Sequence, residues 1–143
     1  MLISPHELKY DDVLISDVFT FSHKFINEDL ELFSRLTGDT NSLHLDYKFA
    51  QKNGFESQVV YGMLSASLFS RLIGVYCPGK NGLYLSQTID FKKPLYLEKE
   101  VTVKGTVIKK FDNFDMVEIK TEIFDLDDVF VSGVARAKFL INE

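Results

Sequence analysis

Cysteine is almost absent from this sequence, and long hydrophobic runs are missing. The single cysteine, Cys77, excludes an intrachain disulfide, a thiolate zinc cluster and a C-x-x-C redox motif within the 143 residues. No apolar stretch approaches the ~18 residues of a transmembrane helix. Residues 1–12 lack the basic and apolar segments of a secretory signal. We therefore expect a cytoplasmic protein in a reducing compartment.

Basic charge is also in deficit. Sixteen Lys and Arg residues against twenty-one Asp and Glu residues give a net charge of −5, which argues against non-specific binding to nucleic acid or to an anionic membrane surface. No repeat, low-complexity tract or Pro/Gly/Ser-rich linker divides the chain. With 45% hydrophobic residues, a chain of this length can bury one core, so we expect residues 1–143 to form a single domain.

Several familiar site motifs are missing as well. The sequence contains no G-x-S-x-G, G-x-G-x-x-G or G-x-x-x-x-G-K-[ST] pattern. A calcium-binding loop that began at Asp39 would need glycine at its sixth position and an acid at its twelfth. His44 and Ala50 stand there instead. We predict neither a metal site nor a cofactor.

The first half of the chain combines one strand with helical patterns. Apolar and polar residues alternate over residues 19–25, which predicts a half-buried strand. Asn27 is placed to cap a short helix that reaches Gly38. Asp46 is placed to cap one or two further turns, which Gly54 would end.

A longer helix is predicted between Met63 and Tyr76. The residues there are apolar or small nearly all round, Arg71 is the only charged one, and Pro78-Gly79 follows. Such a helix, ~21 Å long at ~1.5 Å per residue, is expected to lie buried in the centre of the domain.

Beyond that helix the hydrophobic period changes to two, which predicts strands. The strands cover residues 83–91, 101–107, 117–123 and 129–140. The last three resemble a meander, because turn-forming Asp and Asn residues separate them. With the first strand, this predicts an α+β fold in which a largely antiparallel five-stranded sheet surrounds one helix.

The irregular segment between the first two helices carries a carboxylate and an imidazole five residues apart, Asp39 and His44. A carboxylate can take a proton from water, and an imidazole can give or take one near neutrality, so the two could converge on one water molecule. Alternatively, the segment is turn chemistry in which Asp39 and Asn41 bond their own backbone. Spacing alone leaves both interpretations open and favours the turn.

The same segment resembles a known motif. Residues 33–50 are similar to the hydratase motif of the MaoC-like dehydratases, in particular the (R)-specific enoyl-CoA hydratases: an aromatic residue, Gly-Asp-x-Asn-Pro-x-His, and then Ala. Residues 61–63, Tyr-Gly-Met, resemble the His-Gly-Met with which the central helix of that family starts. The resemblance extends over residues 18–140. It implies the hotdog fold, an antiparallel sheet around a central helix, and it favours Asp39 and His44 as a catalytic pair.

The resemblance also implies an activity: (R)-specific hydration of a 2-trans-enoyl thioester, or the reverse dehydration. Asp39 would activate water, and His44 would share that water and exchange a proton at C2, although the roles could be inverted. The backbone N–H of Gly62 would hold the thioester oxygen. The implied partners are an acyl-CoA or acyl-carrier-protein thioester and a second copy of the chain, since an uncovered edge strand is a liability. The substrate-binding candidates are Asn41, Ser70 and Gln87.

Two residues depart from the family motif. Ser42 replaces a proline, which loses a fixed φ but no reacting group. Tyr61 replaces a histidine, and we expect it to pack rather than react. The sequence also bears on two other functions. Residues 63–76 contain no Asp or Glu, which argues against a hotdog thioesterase, and the presence of both Asp39 and His44 argues against a non-catalytic acyl-thioester-binding subunit.

Three lysines and the single cysteine are further candidates for a role at the site. Lys80, Lys92 and Lys93 could meet the phosphates of a coenzyme A or phosphopantetheine arm, although a solvated surface is the commoner explanation for such lysines. Cys77 ends an apolar helix without a basic residue beside it in the sequence, so we expect an inert thiol.

Overall fold

The computed structural model of the chain describes residues 2–141. A short 3-10 turn, Tyr10–Asp12, precedes strand β1 (Val18–Lys24) and helices α1 (Asn27–Thr37), α2 (Ser42–Leu45) and α3 (Tyr47–Lys52). The central helix follows as α4 (Gly62–Ala66), α5 (Leu68–Arg71) and a π-helical turn (Leu72–Tyr76). The remaining strands are β2 (Gly82–Gln87), β3 (Asp90–Phe91), β4 (Glu100–Phe111), β5 (Met116–Phe124) and β6 (Val129–Phe139).

The strands form one antiparallel sheet in the order β1-β4-β5-β6-β2, with β3 also paired to β6. The consecutive pairing of β4, β5 and β6 confirms the predicted meander. The sheet packs against the central helix, which confirms the α+β arrangement and the hotdog architecture that the resemblance implies. The count is six rather than five because the predicted strand over residues 83–91 is interrupted and continues as β3.

One face of the central helix is pressed closely against the sheet. Phe69, Leu72 and Ile73 are buried on that face. A Cβ added to Gly105 of β4 would lie only 2.8 Å from a methyl group of Leu72. The missing side chain of Gly105 therefore lets the helix approach the strand, as close packing of these two layers requires.

The opposite face of the central helix is exposed, so the predicted burial in the domain centre holds for one side of the helix only. The uncovered residues form a stripe at helical spacing: Met63, Ser67, Ser70 and Gly74. The sheet covers a helix from one side only, and the described chain places no second layer on the other. None of the helices within residues 2–141 is long and apolar enough to cross a membrane.

Strand β2 departs from the predicted alternation. The pattern grouped Leu83, Leu85 and Gln87 on one apolar face, but both leucines are exposed, whereas Gln87 lies on the same face as the half-buried Tyr84. A register shift between Tyr84 and Ser86 is the cause. One extra residue in a strand moves all later side chains to the other face.

Two predicted helix caps have different outcomes. Asp46 caps α3 as predicted, since its Oδ1 accepts the N–H of Phe49 at 3.0 Å. Asn27 was predicted to be a cap and is instead the first residue of α1, preceded by Ile26 at the capping position. The side chain of Asp29 accepts the N–H of Ile26 at 2.9 Å and thereby satisfies that donor without Asn27.

Candidate active site

Local backbone chemistry positions Asp39 immediately after α1. The helix ends at Gly38, whose φ of +77° suits glycine and whose N–H donates to the Ser34 carbonyl at 2.8 Å. Asp39 Oδ1 then accepts the N–H of Asn41 at 3.0 Å, and Asn41 Oδ1 accepts the N–H of Leu43 at 3.0 Å. The predicted hydrogen bonds of the Asp39 and Asn41 side chains with their own backbone are therefore present. The one to Asp39 uses a single carboxylate oxygen, Oδ1.

His44 lies on α2, the short helix that Asn41 caps. Its Nδ1 is 2.6 Å from the carbonyl oxygen of Val59, and Val59 N–H donates back to the Leu43 carbonyl at 3.2 Å. Because a carbonyl oxygen can only accept, Nδ1 carries the proton in the neutral imidazole and Nε2 is left as an acceptor. The pairing with Val59 thus fixes both the tautomer and the orientation of the ring.

Gly62 is the first residue of the central helix, so its N–H has no acceptor within the helix. The segment before it is tied to the rest of the fold by a 2.8 Å hydrogen bond from Val60 N–H to the Leu95 carbonyl. A Cβ added to Gly62 would lie 2.9 Å from the ring of Phe91. The absence of a side chain at Gly62 therefore makes room for the Phe91 ring, and the Gly62 N–H has no hydrogen-bond partner among residues 2–141.

Asp39, His44 and Gly62 line one cavity of about 820 Å³. This volume lies within the range of ~300–1,000 Å³ that is usual for small-molecule sites. Lys92 and Lys93 also line it, while Lys80 lies elsewhere and pairs with Glu7. The apolar part of the wall consists of Phe33, Phe55, Val59, Val60, Met63, Phe91, Pro94, Leu95 and Val131.

The three predicted substrate-binding residues do not line this cavity. Asn41 lies beside it and uses its side chain to cap α2. Ser70 lies on the exposed stripe of the central helix, so a contact with substrate depends on what covers that stripe. Gln87 donates to Thr121 Oγ1 at 2.8 Å and to the Thr88 carbonyl at 2.7 Å, which corresponds to its structural alternative. Their roles in binding stay predictions.

Sequence reasoning did not anticipate the place of Tyr61 in the site. Its hydroxyl donates to the backbone carbonyl of Asp39, and its ring stacks on the imidazole of His44. The only signal in the sequence was the departure from the family motif at this position. Phe91 was likewise predicted only as a strand residue, although its ring covers Gly62.

Within residues 2–141, no three acidic, histidine or cysteine side chains are placed so that they could hold a metal ion.

The chain is similar to known proteins along most of its length. A family model described as a MaoC-like domain matches residues 11–125. An (R)-specific enoyl-CoA hydratase from Aeromonas caviae is 40% identical over 103 residues, which are 72% of this chain and 77% of that protein. A mitochondrial 3-hydroxyacyl-[acyl-carrier-protein] dehydratase from Arabidopsis thaliana is 33% identical over 127 residues, 86% of this chain and 75% of that protein.

A solved structure agrees with these relatives. An (R)-hydratase from A. caviae, described as involved in PHA biosynthesis, superposes with a TM-score of 0.85 at 35% sequence identity. The superposition covers 89% of this chain and 97% of the other. The likeness therefore extends over most of the fold.

Proposed function

The chain belongs to the MaoC-like domain family, and we propose that it is a hydro-lyase that hydrates 2-trans-enoyl thioesters to (R)-3-hydroxyacyl thioesters, or catalyses the reverse dehydration. The observation that carries this proposal is the convergence of Asp39, His44 and Gly62 on one mostly apolar cavity. One relative is named an (R)-specific enoyl-CoA hydratase, for the forward reaction, and another is named a 3-hydroxyacyl-[acyl-carrier-protein] dehydratase, for the reverse.

We assign Gly62 to the thioester oxygen. As the oxygen of water bonds to C3, the double bond between C2 and C3 becomes single, and negative charge builds on the thioester oxygen. The free N–H of Gly62 at the start of the central helix can donate to that charge, and the helix dipole adds to the effect. The Phe91 ring lies beside this N–H, where a Cβ at position 62 would stand, and it is exposed enough to yield to an incoming oxygen.

We assign Asp39 and His44 to one water molecule. The second carboxylate oxygen of Asp39 and Nε2 of His44 are both acceptors, so a water between them can donate to both. The pair takes one proton from the water as the C3–O bond forms, and C2 then receives a proton from the pair. The enzyme returns to its initial protonation state, and no cofactor takes part in this scheme.

The apolar wall suits an acyl chain, and the two lysines suit an anionic carrier arm. Lys92 and Lys93 line the cavity and are exposed, although Lys93 also pairs with Asp128. We propose an acyl-CoA or acyl-carrier-protein thioester as the substrate. The relatives include proteins named for each carrier.

We further propose a homodimer in the cytoplasm. Strand β2 lies at one edge of the sheet with Leu83 and Leu85 exposed, and the stripe of the central helix that contains Ser70 is also uncovered. A second copy would cover both. In such a dimer Ser70 would become enclosed, as its predicted substrate contact requires. The single cysteine is consistent with a reducing compartment.

The decisive experiment is to incubate the protein with crotonyl-CoA and with longer 2-enoyl-CoAs. We expect the absorbance of the conjugated thioester to fall without release of free thiol, and chiral analysis to find the (R) product. Release of thiol would indicate a thioesterase instead. An (S) product would overturn the stereochemical assignment even with activity present.

A further inference from the structure

Tyr61 is a buried residue that touches both members of the proposed catalytic pair. It directly precedes Gly62 and is only 2% exposed. Its hydroxyl and its ring make different contacts, so loss of the hydroxyl alone can be compared with loss of both.

The hydroxyl of Tyr61 holds the loop that carries Asp39. It donates to the Asp39 carbonyl at 2.6 Å. The other hydrogen bonds of residues 38–41 in the part of the chain that the structure describes link them to neighbours within four positions along the sequence. The contact from Tyr61 is therefore the long-range hydrogen bond that fixes this exposed loop relative to the central helix.

The ring of Tyr61 holds His44. The two ring centroids are 3.9 Å apart and the planes are inclined by 28°. The hydrogen bond from Nδ1 to Val59 holds the imidazole at one edge, and the stacked ring of Tyr61 supports one of its faces. Phe33 supports Tyr61 at a centroid distance of 4.8 Å, so the stacking surface is itself packed in place.

We propose that Tyr61 is a positioning residue that sets the geometry of Asp39 and His44 around their shared water. Tyr61 does not react, and its effect passes through the two residues that it contacts. The inference rests on the proposed hydratase activity. It matters for rate because a displacement of about 1 Å of a catalytic group can cost about 10²-fold.

The test compares Tyr61→Phe with Tyr61→Leu. Tyr61→Phe removes only the hydroxyl, and we expect kcat for crotonyl-CoA hydration to fall by about 3- to 10-fold, the value of one neutral hydrogen bond, with KM nearly unchanged. Tyr61→Leu also removes the stacked ring and is expected to lose about 10²-fold in kcat. Tyr61→Phe keeps the test valid if Tyr61→Leu fails to fold.

Tyr10→Phe is the matched control. Tyr10 also donates its hydroxyl in a hydrogen bond, to Asp112 at 2.8 Å, but it does not line the active-site cavity. We expect Tyr10→Phe to keep wild-type kcat. If both variants lost kcat to the same extent, loss of general stability would explain the result and the positioning role would be overturned.

Two readouts separate positioning from simple packing. In the Asp39→Asn background, Tyr61→Phe should cause little further loss, because residues that act through one another are non-additive. The backbone N–H of Asn41 donates to Asp39 Oδ1. Its hydrogen should exchange with solvent faster in Tyr61→Phe than in the wild type, as measured by NMR. Additive losses or unchanged exchange would overturn the proposal.

The experiment also distinguishes failure of this inference from failure of the proposed function. If the wild type hydrates crotonyl-CoA and Tyr61→Phe does so equally fast, only the role of Tyr61 is overturned. If the wild type hydrates no enoyl thioester, the proposed function falls and the catalytic role of Tyr61 falls with it. In that case the exchange of the Asn41 amide still measures whether Tyr61 orders the loop.

Discussion

Phe91 packs its ring so closely over Gly62 that a Cβ at position 62 would lie 2.9 Å from it. The two residues come from different elements, β3 and the start of the central helix. The ring of Phe91 is half exposed, so it can move aside if a side chain is added at position 62. The contact therefore shapes the active site but contributes little to the stability of the fold.

Gly62→Pro tests the proposed donor directly. Proline removes the N–H but is tolerated at the first position of a helix, and Tyr61 already has a ψ of 129°, as the residue before a proline requires. Gly62→Ala is the control, because it adds the same Cβ and keeps the N–H. We expect kcat of Gly62→Pro to be about 10²- to 10³-fold below that of Gly62→Ala. Equal steady-state rates in two folded variants would remove Gly62 from the mechanism.

The proposed pair is tested by Asp39→Asn and His44→Ala. Each is expected to lower kcat by about 10²- to 10⁴-fold with a much smaller change in KM, and the double variant should lose far less than the product of the two. Asp46→Asn serves as control, since asparagine caps a helix about as well as aspartate and Asp46 lies outside the cavity. A folded single variant that kept more than about a tenth of wild-type kcat would fall outside the range for a general acid or base and would make the pair a structural loop.

Oligomeric state is tested on the exposed stripe of the central helix. Analytical ultracentrifugation should find a dimer at micromolar concentration. Ser67→Arg places a long charged side chain on the stripe and should yield monomers, because an unpaired charge is costly in an interface. Ser67→Ala should remain dimeric. A wild type that sediments only as a monomer would contradict the dimer. If Ser67→Arg remained dimeric, the interface would not include the exposed stripe of the central helix.

Cys77 should be unreactive in the folded protein. Burial raises the pKa of its thiol to about 12, so at pH 8 very little thiolate is present, and the thiolate is the nucleophile. A disulfide reagent such as DTNB is therefore expected to label the native protein far more slowly than the same protein in guanidinium chloride. Rapid stoichiometric labelling of the native protein would show that the thiol is accessible and ionised.

Sequence reasoning identified the features that depend on neighbouring residues. Alternation over residues 19–25 identified β1 because side chains of a strand point to opposite faces in turn. Asp46 was identified as a cap because its side chain reaches an N–H three residues ahead, within one turn. The meander of β4 to β6 followed from turn residues between apolar strands. The family resemblance added the role of Gly62, which no local pattern distinguishes from a tight helix start.

Tertiary contacts decided the rest. The bulge in β2 placed Leu83 and Gln87 on opposite faces because the register is set by pairing with β6, far along the chain. The central helix has an exposed stripe because the sheet covers only one side of it. Tyr61 was expected merely to pack, and it bridges Asp39 and His44 because hydrogen bonds to Leu43 and Leu95 bring its segment beside α2. Asp39 and Gly62 are 23 positions apart in the sequence, so only the folding that closes this loop could place the carboxylate and the backbone donor on one cavity.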